Sequence, residues 1–169
     1  MLSARSLSLL VATLTLTLVL PVSVLTGPAD AAPPAPRQAS VTSRTVTLKP
    51  ALQNLLSRVN KVRKAHGRKP LRATVCLTKK VAQPWAKHMA STGSFAHQDL
   101  TKVWETCPSL TAVGENIAAG QPTAKAVMKA WMNSPGHRKN ILNRKFRKIG
   151  LGLARDADGT PYWVQDFGR

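Results

Sequence analysis

Chemistry near neutral pH rests on few residue types, and this chain holds three of them in telling places. His97 lies in "GSFAHQD", Glu115 in "GENIAAG" and His137 in "SPGHR". Asp and Glu together number only 7, so an acid inside an apolar run needs a partner for its charge. Two imidazoles and a carboxylate are donors suited to a borderline divalent ion such as Zn2+, and they are also a set for general acid–base work. Each follows a helix end or a glycine, in predicted loops where side chains converge. The separations along the chain are long, so spacing alone does not specify a site. A single loop histidine is more often exposed or simply hydrogen-bonded. Ser134, before Pro135, offers either a nucleophile beside His137 or a backbone cap. There is no H-E-x-x-H pair of the metalloprotease kind. Asn116, beside Glu115, reads as a residue that satisfies nearby backbone.

The elements that would position these residues are legible in part. Leu48, Leu52, Leu55, Leu56, Val59 and Val62 recur at helical spacing, with Thr47 as cap, Pro50 in the first turn and Gly67 as stop. His66, beside Gly67, suits a role at that helix's C-terminal dipole or plain exposure. A second helix is expected over "LRATVCLTKKVAQPWAKHMASTG", with Leu77, Val81, Trp85 and Met89 as its stripe, His88 at the stripe's edge and a bend at Pro84. The stretch 94–122 lacks helical period. A third helix follows from a Thr123 cap, with Val127, Ala130, Trp131 and Ser134 on one face and Trp131 in the core. A short helical turn comes after Pro135-Gly136. "KIGLGLARD" and "PYWVQDFG" flank Asp158-Gly159 as a hairpin. The small face of the first strand, Gly150 and Gly152, calls for a helix packed close to the sheet. The fold class is α+β, with helices covering an antiparallel sheet.

Residues 1–31 carry Arg5, an apolar run from Leu7 to Leu25, and the Ala29-Asp30-Ala31 pattern of a secretory signal peptide. That run is nearly long enough to span a bilayer, so a retained anchor is the other reading. No later stretch could span a membrane. Residues 32–47 read as a disordered linker rich in Pro, Ala, Ser and Thr, and 48–169 as one domain. The net charge is +18. A secreted protein so basic is drawn to an anionic cell-envelope polymer or acidic lipid. With no stacking-aromatic pattern, nucleic acid is not the expected partner. An isolated pair of cysteines in an exported chain, Cys76 and Cys107, is expected to form a disulfide.

The ordered set "FAH", "GENIAAG", "AWMNSPGHRKNIL", "IGLGLA" and "YWVQDFG", with Asn60 and Arg63 in "VNKVR", resembles the bacterial branch of the CAP superfamily. These are proteins of the cysteine-rich secretory, antigen 5 and pathogenesis-related-1 type. The resemblance covers about Leu52 to Gly168. It implies an α-β-α sandwich with a central antiparallel sheet and a groove where His97, Glu115 and His137 meet. In many relatives that groove has two histidines and two acids and takes zinc or another divalent cation. Here the position of the second acid is Ser134. The favoured reading is a monomeric, non-enzymatic extracellular module that binds a lipid, an envelope polymer or a protein. The alternative is a metal-dependent hydrolase, protease or esterase-like, whose histidines hold Zn2+ while Glu115 acts as base. A Ser134–His137 hydrolase is the third reading.

Overall fold

The computed structural model describes residues 46–169. The expected signal peptide, and the linker as far as residue 45, lie outside the described residues. Val46 is buried in one core with Leu48 and Leu52.

Helix α1 (Pro50–Ala65) buries Leu52, Leu55, Val59 and Arg63, a stripe at three- and four-residue steps. The expected Thr47 cap is not formed. The N-cap is Lys49, with no side-chain bond, and Pro50 at the first position has no N–H to satisfy. At the other end His66 is the C-cap, its Nδ1 donating to Val62 O at 2.8 Å. Gly67 then takes φ +63, the left-handed turn that favours glycine.

The expected second helix divides in two. Cys76–Ala82 is π-helical and continues as α2 (Gln83–Thr92). Gln83 N donates to Thr78 O, five residues back. The wider turn absorbs Pro84, whose ring would collide with the carbonyl four residues back in a regular helix. It also rotates the register. The buried face passes from Leu77 and Val81 to Ala82, Ala86, Met89 and Ala90, and Trp85 is left half-buried.

The stretch expected to lack helical period holds a short helix and a strand. Helix α3 (Leu100–Thr106) is capped by Asp99, which accepts from Thr101 N at 2.8 Å. Strand β2 (Val113–Ala119) contains most of "GENIAAG". Helix α4 (Ala124–Asn133) starts at Thr123, whose hydroxyl accepts from Ala126 N at 3.1 Å. Helix α5 (Pro135–Leu142) follows directly. Strands β3 (Lys148–Arg155) and β4 (Pro161–Gly168) form the expected hairpin.

The sheet order is β1-β3-β4-β2, where β1 is the two-residue Arg72–Ala73. Strands β2, β4 and β3 are antiparallel, while β1 runs parallel to β3, so the sheet is mixed. Trp163 and Phe167 of β4 pack in one core with Leu55 of α1, Val127 of α4 and Ile141 of α5. Val164 packs on the opposite face with Ala86 and Met89 of α2. The architecture is therefore an α-β-α sandwich. The glycine face of β3 does what its composition requires. A Cβ on Gly150 or Gly152 would collide with the backbone carbonyls of Leu77 and Ala82.

Cys76 and Cys107 are joined, with Cα atoms 6.1 Å apart, tying the start of the π-helix to the end of α3. Among the described residues no helix is long and apolar enough to cross a membrane.

Two outcomes follow from this packing. Gly152→Ala should lower unfolding free energy by about 1–3 kcal/mol or more, because backbone must move to admit the methyl group. The double variant Cys76→Ala/Cys107→Ala should lose about 3–4 kcal/mol, the loop-closure value for a span of this length. Urea unfolding of each checks both. An unchanged midpoint in the glycine variant would mean that the helix does not lie on the sheet as described.

Candidate functional site

The site lies along the outer edge of β2. Neighbouring residues of this strand face opposite layers, as strand geometry demands. Asn116 and Ala118 face α4 and α5, while Glu115 and Ile117 face the α2 side. Four consecutive residues, Glu115 to Ala118, are buried, so the strand shows no alternation of polar and apolar positions.

Glu115 is buried, and both its oxygens are engaged. Oε1 accepts from His97 Nδ1 at 2.5 Å and from Gln98 N at 3.3 Å, and Oε2 accepts from Gln98 Nε2 at 2.6 Å. A carboxylate oxygen accepts, so Nδ1 is the donor in this bond and Nε2 is the ring nitrogen that it leaves over. The histidine is mostly exposed while its partner is not. The acid in the apolar run is thus held by one histidine and one glutamine. His137, in the first turn of α5, does not hydrogen-bond to it, and lines a groove whose wall includes neither Glu115 nor His97. Burial lowers the pKa of His137 below the ordinary imidazole value, and nearby His97 lowers it further. His137 is therefore neutral at pH 7.

A second acid lies directly opposite Glu115. Asp166 of β4 is its register partner and is fully buried. Gln98 Nε2 bridges the two, donating to Asp166 Oδ1 at 2.9 Å while it holds Glu115. Asp166 Oδ2 has no partner among the described residues. Burial raises the Asp166 pKa well above the usual carboxyl value, Glu115 raises it further, and the Gln98 bond only partly opposes them. Two neighbouring carboxylates cannot both ionise in such a place. The donors are unevenly divided: Glu115 has the histidine and two from Gln98, while Asp166 has one and keeps an unpartnered oxygen. Sequence reasoning singles out neither Gln98 nor Asp166. The criterion that marks Glu115, a carboxylate within an apolar strand, also marks Asp166 in "YWVQDFG".

Asn116 fills a structural role. Its Nδ2 donates to His137 O at 3.2 Å and to Gln165 Oε1 at 3.1 Å. Asn140 of α5 donates to Glu115 O at 2.9 Å and to Asn116 Oδ1 at 3.0 Å. These bonds fasten α5, and with it His137, to the strand that carries Glu115. Trp131, buried as expected, also donates its indole N–H to Ile117 O at 3.0 Å.

Beside these groups runs a groove of about 550 Å3. Phe95, Ile117, Ala130 and Trp131 supply apolar wall, and Ser134 and His137 supply polar atoms. Phe95 is 54% exposed, unusual for a large apolar side chain. Ser134 is the N-cap residue of α5, but its hydroxyl makes no capping bond, and none joins it to His137. Among the described residues no three His, Cys, Asp or Glu side chains are placed to hold a metal ion together. With Glu115 committed to His97 and Gln98, the donors left are two imidazoles, His137 in the groove wall and His97 outside its lining. That set does not fit the three or four protein ligands of a zinc site.

Residues 56–167 match the model of the cysteine-rich secretory protein family, CAP. An uncharacterized protein of Bacillus subtilis (strain 168), YkwD, is 40% identical over 116 residues, which are 64% of this chain and 43% of that protein. The match thus spans less than half the length of that relative. Among solved structures, an outer surface protein from Borrelia burgdorferi aligns with TM-score 0.66 and 24% identity, covering 73% of this chain and 96% of that one. An extracellular protein of Bacillus anthracis containing an SCP domain aligns with TM-score 0.60 and 27% identity, covering 73% of this chain and 45% of the other.

The buried carboxyl pair has a pH signature. The Asp166 pKa in the folded protein lies above its unfolded value of about 3.9. As pH rises past that value the unfolded chain releases this proton and the folded protein keeps it, so this group's contribution to stability falls. Asp166→Asn keeps an acceptor for Gln98 and does not titrate. The variant should gain stability relative to the parent as pH is raised from about 4 to about 7 in urea titrations. A difference that stays constant over that range would mean that Asp166 ionises like a surface carboxylate.

Proposed function

Because the chain belongs to the cysteine-rich secretory protein (CAP) family, we propose that it is an exported, non-enzymatic binding module that holds an amphipathic lipid in the groove along β2. One observation carries this reading: a largely apolar groove of about 550 Å3, within the range of ligand pockets, with its few polar groups at Gln121, Ser134 and His137. Exposed Phe95 in its wall gives an acyl chain apolar surface to cover. The surplus of basic side chains, 25 against 7 acidic, favours a lipid with an anionic head and attraction to anionic polymers of an envelope. Export is supported by the signal-peptide pattern of residues 1–31 and by the extracellular relative from Bacillus anthracis.

The metal-dependent hydrolase ranks second. A general base must have a lone pair facing the water it deprotonates. Glu115 instead accepts three hydrogen bonds from His97 and Gln98. The Ser134–His137 hydrolase lacks the hydrogen bond that would activate the hydroxyl.

Flotation with phosphatidylglycerol vesicles and with phosphatidylcholine vesicles tests the proposal. The protein should bind the anionic vesicles more tightly, and Phe95→Asp should weaken binding to both. Raising salt from about 50 to about 150 mM should loosen the anionic vesicles only, since exposed charges are then screened beyond about 8 Å. One tightly held equivalent of zinc, together with ester or peptide turnover lost in Glu115→Gln, would replace this reading with the hydrolase.

A further inference from the structure

A second groove lies on the other side of the segment that carries His97. Its walls are the π-helix with α2, and α3, and its volume is about 340 Å3. Lys80 stands on one wall and Lys102 on the other. Neither forms an ion pair with a described carboxylate, and no acidic side chain lines the groove. Between them Trp85 and His88 stack, with ring centroids 4.8 Å apart and planes 26° apart. The indole is held in place by its N–H bond to Ala96 O at 3.0 Å. Gln98 closes the inner side. Both of its amide protons are spent on Glu115 and Asp166, which leaves its Oε1 as the free acceptor. The Cys76–Cys107 bond joins the two walls, four residues before Lys80 and one after Thr106, so their separation is fixed before any ligand arrives.

Each part has a matching feature in one class of ligand. Two ammonium groups on opposite walls suit an anion with several oxygens and more than one negative charge, which phosphate is and carboxylate is not. A flat aromatic wall suits a sugar ring, whose C–H edges pack on the electron-rich face. A fixed acceptor in Gln98 suits a sugar hydroxyl, which must donate. We propose that the groove between α2 and α3 is a binding site for a phosphorylated sugar. It is distinct from the lipid groove and does not depend on that reading, because Phe95 lines only the other groove.

Glucose 6-phosphate is the probe, followed by two-dimensional NMR of the oxidised protein. It should shift the Trp85 indole N–H and the Lys102 amide. Glucose, inorganic phosphate and glucuronate should each bind about tenfold more weakly or worse, having lost a charge-assisted bond or the ring contact. Lys80→Ala/Lys102→Ala should weaken binding by at least about tenfold on the same basis, while Lys61→Ala/Lys64→Ala on exposed α1 should leave it unchanged. These lysines are exposed, so folding is not at risk in either variant. Binding of inorganic phosphate as tight as the sugar phosphate would overturn the proposal in favour of charge alone. So would glucuronate binding as tightly, or equal losses in the two lysine pairs. Phe95→Asp should leave this binding intact, which separates failure here from failure of the lipid reading.

Discussion

The guanidinium of Arg63 is fully buried with no carboxylate partner among the described residues, and the site layer depends on it. Backbone carbonyls replace water around it. Nε donates to Lys69 O at 2.8 Å, Nη1 to Ile141 O at 2.6 Å and Asn143 O at 3.1 Å, and Nη2 to Phe146 O at 3.3 Å. Burial lowers its pKa to about 10, with smaller repulsion from Arg147 and Arg68. At neutral pH it remains charged. The planar fork suits this task, since one group must reach four acceptors in fixed directions. The carbonyls at the end of α5 would otherwise be buried without donors, and a cation there also complements the helix dipole. The same side chain ties the return from α1 to the entry into β3. Asn60 does parallel work, pairing its amide with both backbone groups of Leu71.

Fixing the end of α5 fixes what its other residues can reach. Asn140 and Asn116 then lock the helix to β2, and Trp131 of α4 takes the carbonyl of Ile117. Strand β2 is the edge of the sheet, with outward groups that could recruit another strand. Side chains occupy the carbonyls of Glu115 and Ile117 instead. The edge is closed to pairing, and what remains beside it is a groove with apolar walls.

How far the sequence discloses this depends on whether a signal is local. Helix α1, helix α4 and the hairpin are legible because periodicity, caps and Asp158-Gly159 act over a few residues. The sandwich follows from the family resemblance and from the glycine face of β3. Strand β2 reads as a loop because both its faces are buried, which erases the alternation that marks a strand. The seven-residue α3 is too short for a helical period to show. The split at Pro84 depends on a π turn that no local pattern announces. In the site, His97, Glu115 and His137 are visible as residue types, and Asp166 meets the same criterion as Glu115, but that the two acids face each other is not legible. Asp166 meets Glu115 through strand register, across 51 positions of chain (166 − 115). The resemblance points to Ser134, on the helix side, for a second acid, and the structure places one on the neighbouring strand.

The pairing of Glu115 with Asp166 also limits what the site does. A lone buried carboxylate beside His97 could exchange protons with the groove. Here Gln98 donates one amide proton to each acid and its backbone N–H to Glu115, so the two carboxyl groups are spaced by a neutral side chain. Glu115 takes the donors of His97 and Gln98, while Asp166 keeps one donor and an unpartnered oxygen. The arrangement is consumed in orienting His97 and leaves Nε2 as its outward face. Gln98 stands in the wall of the α2–α3 groove as well.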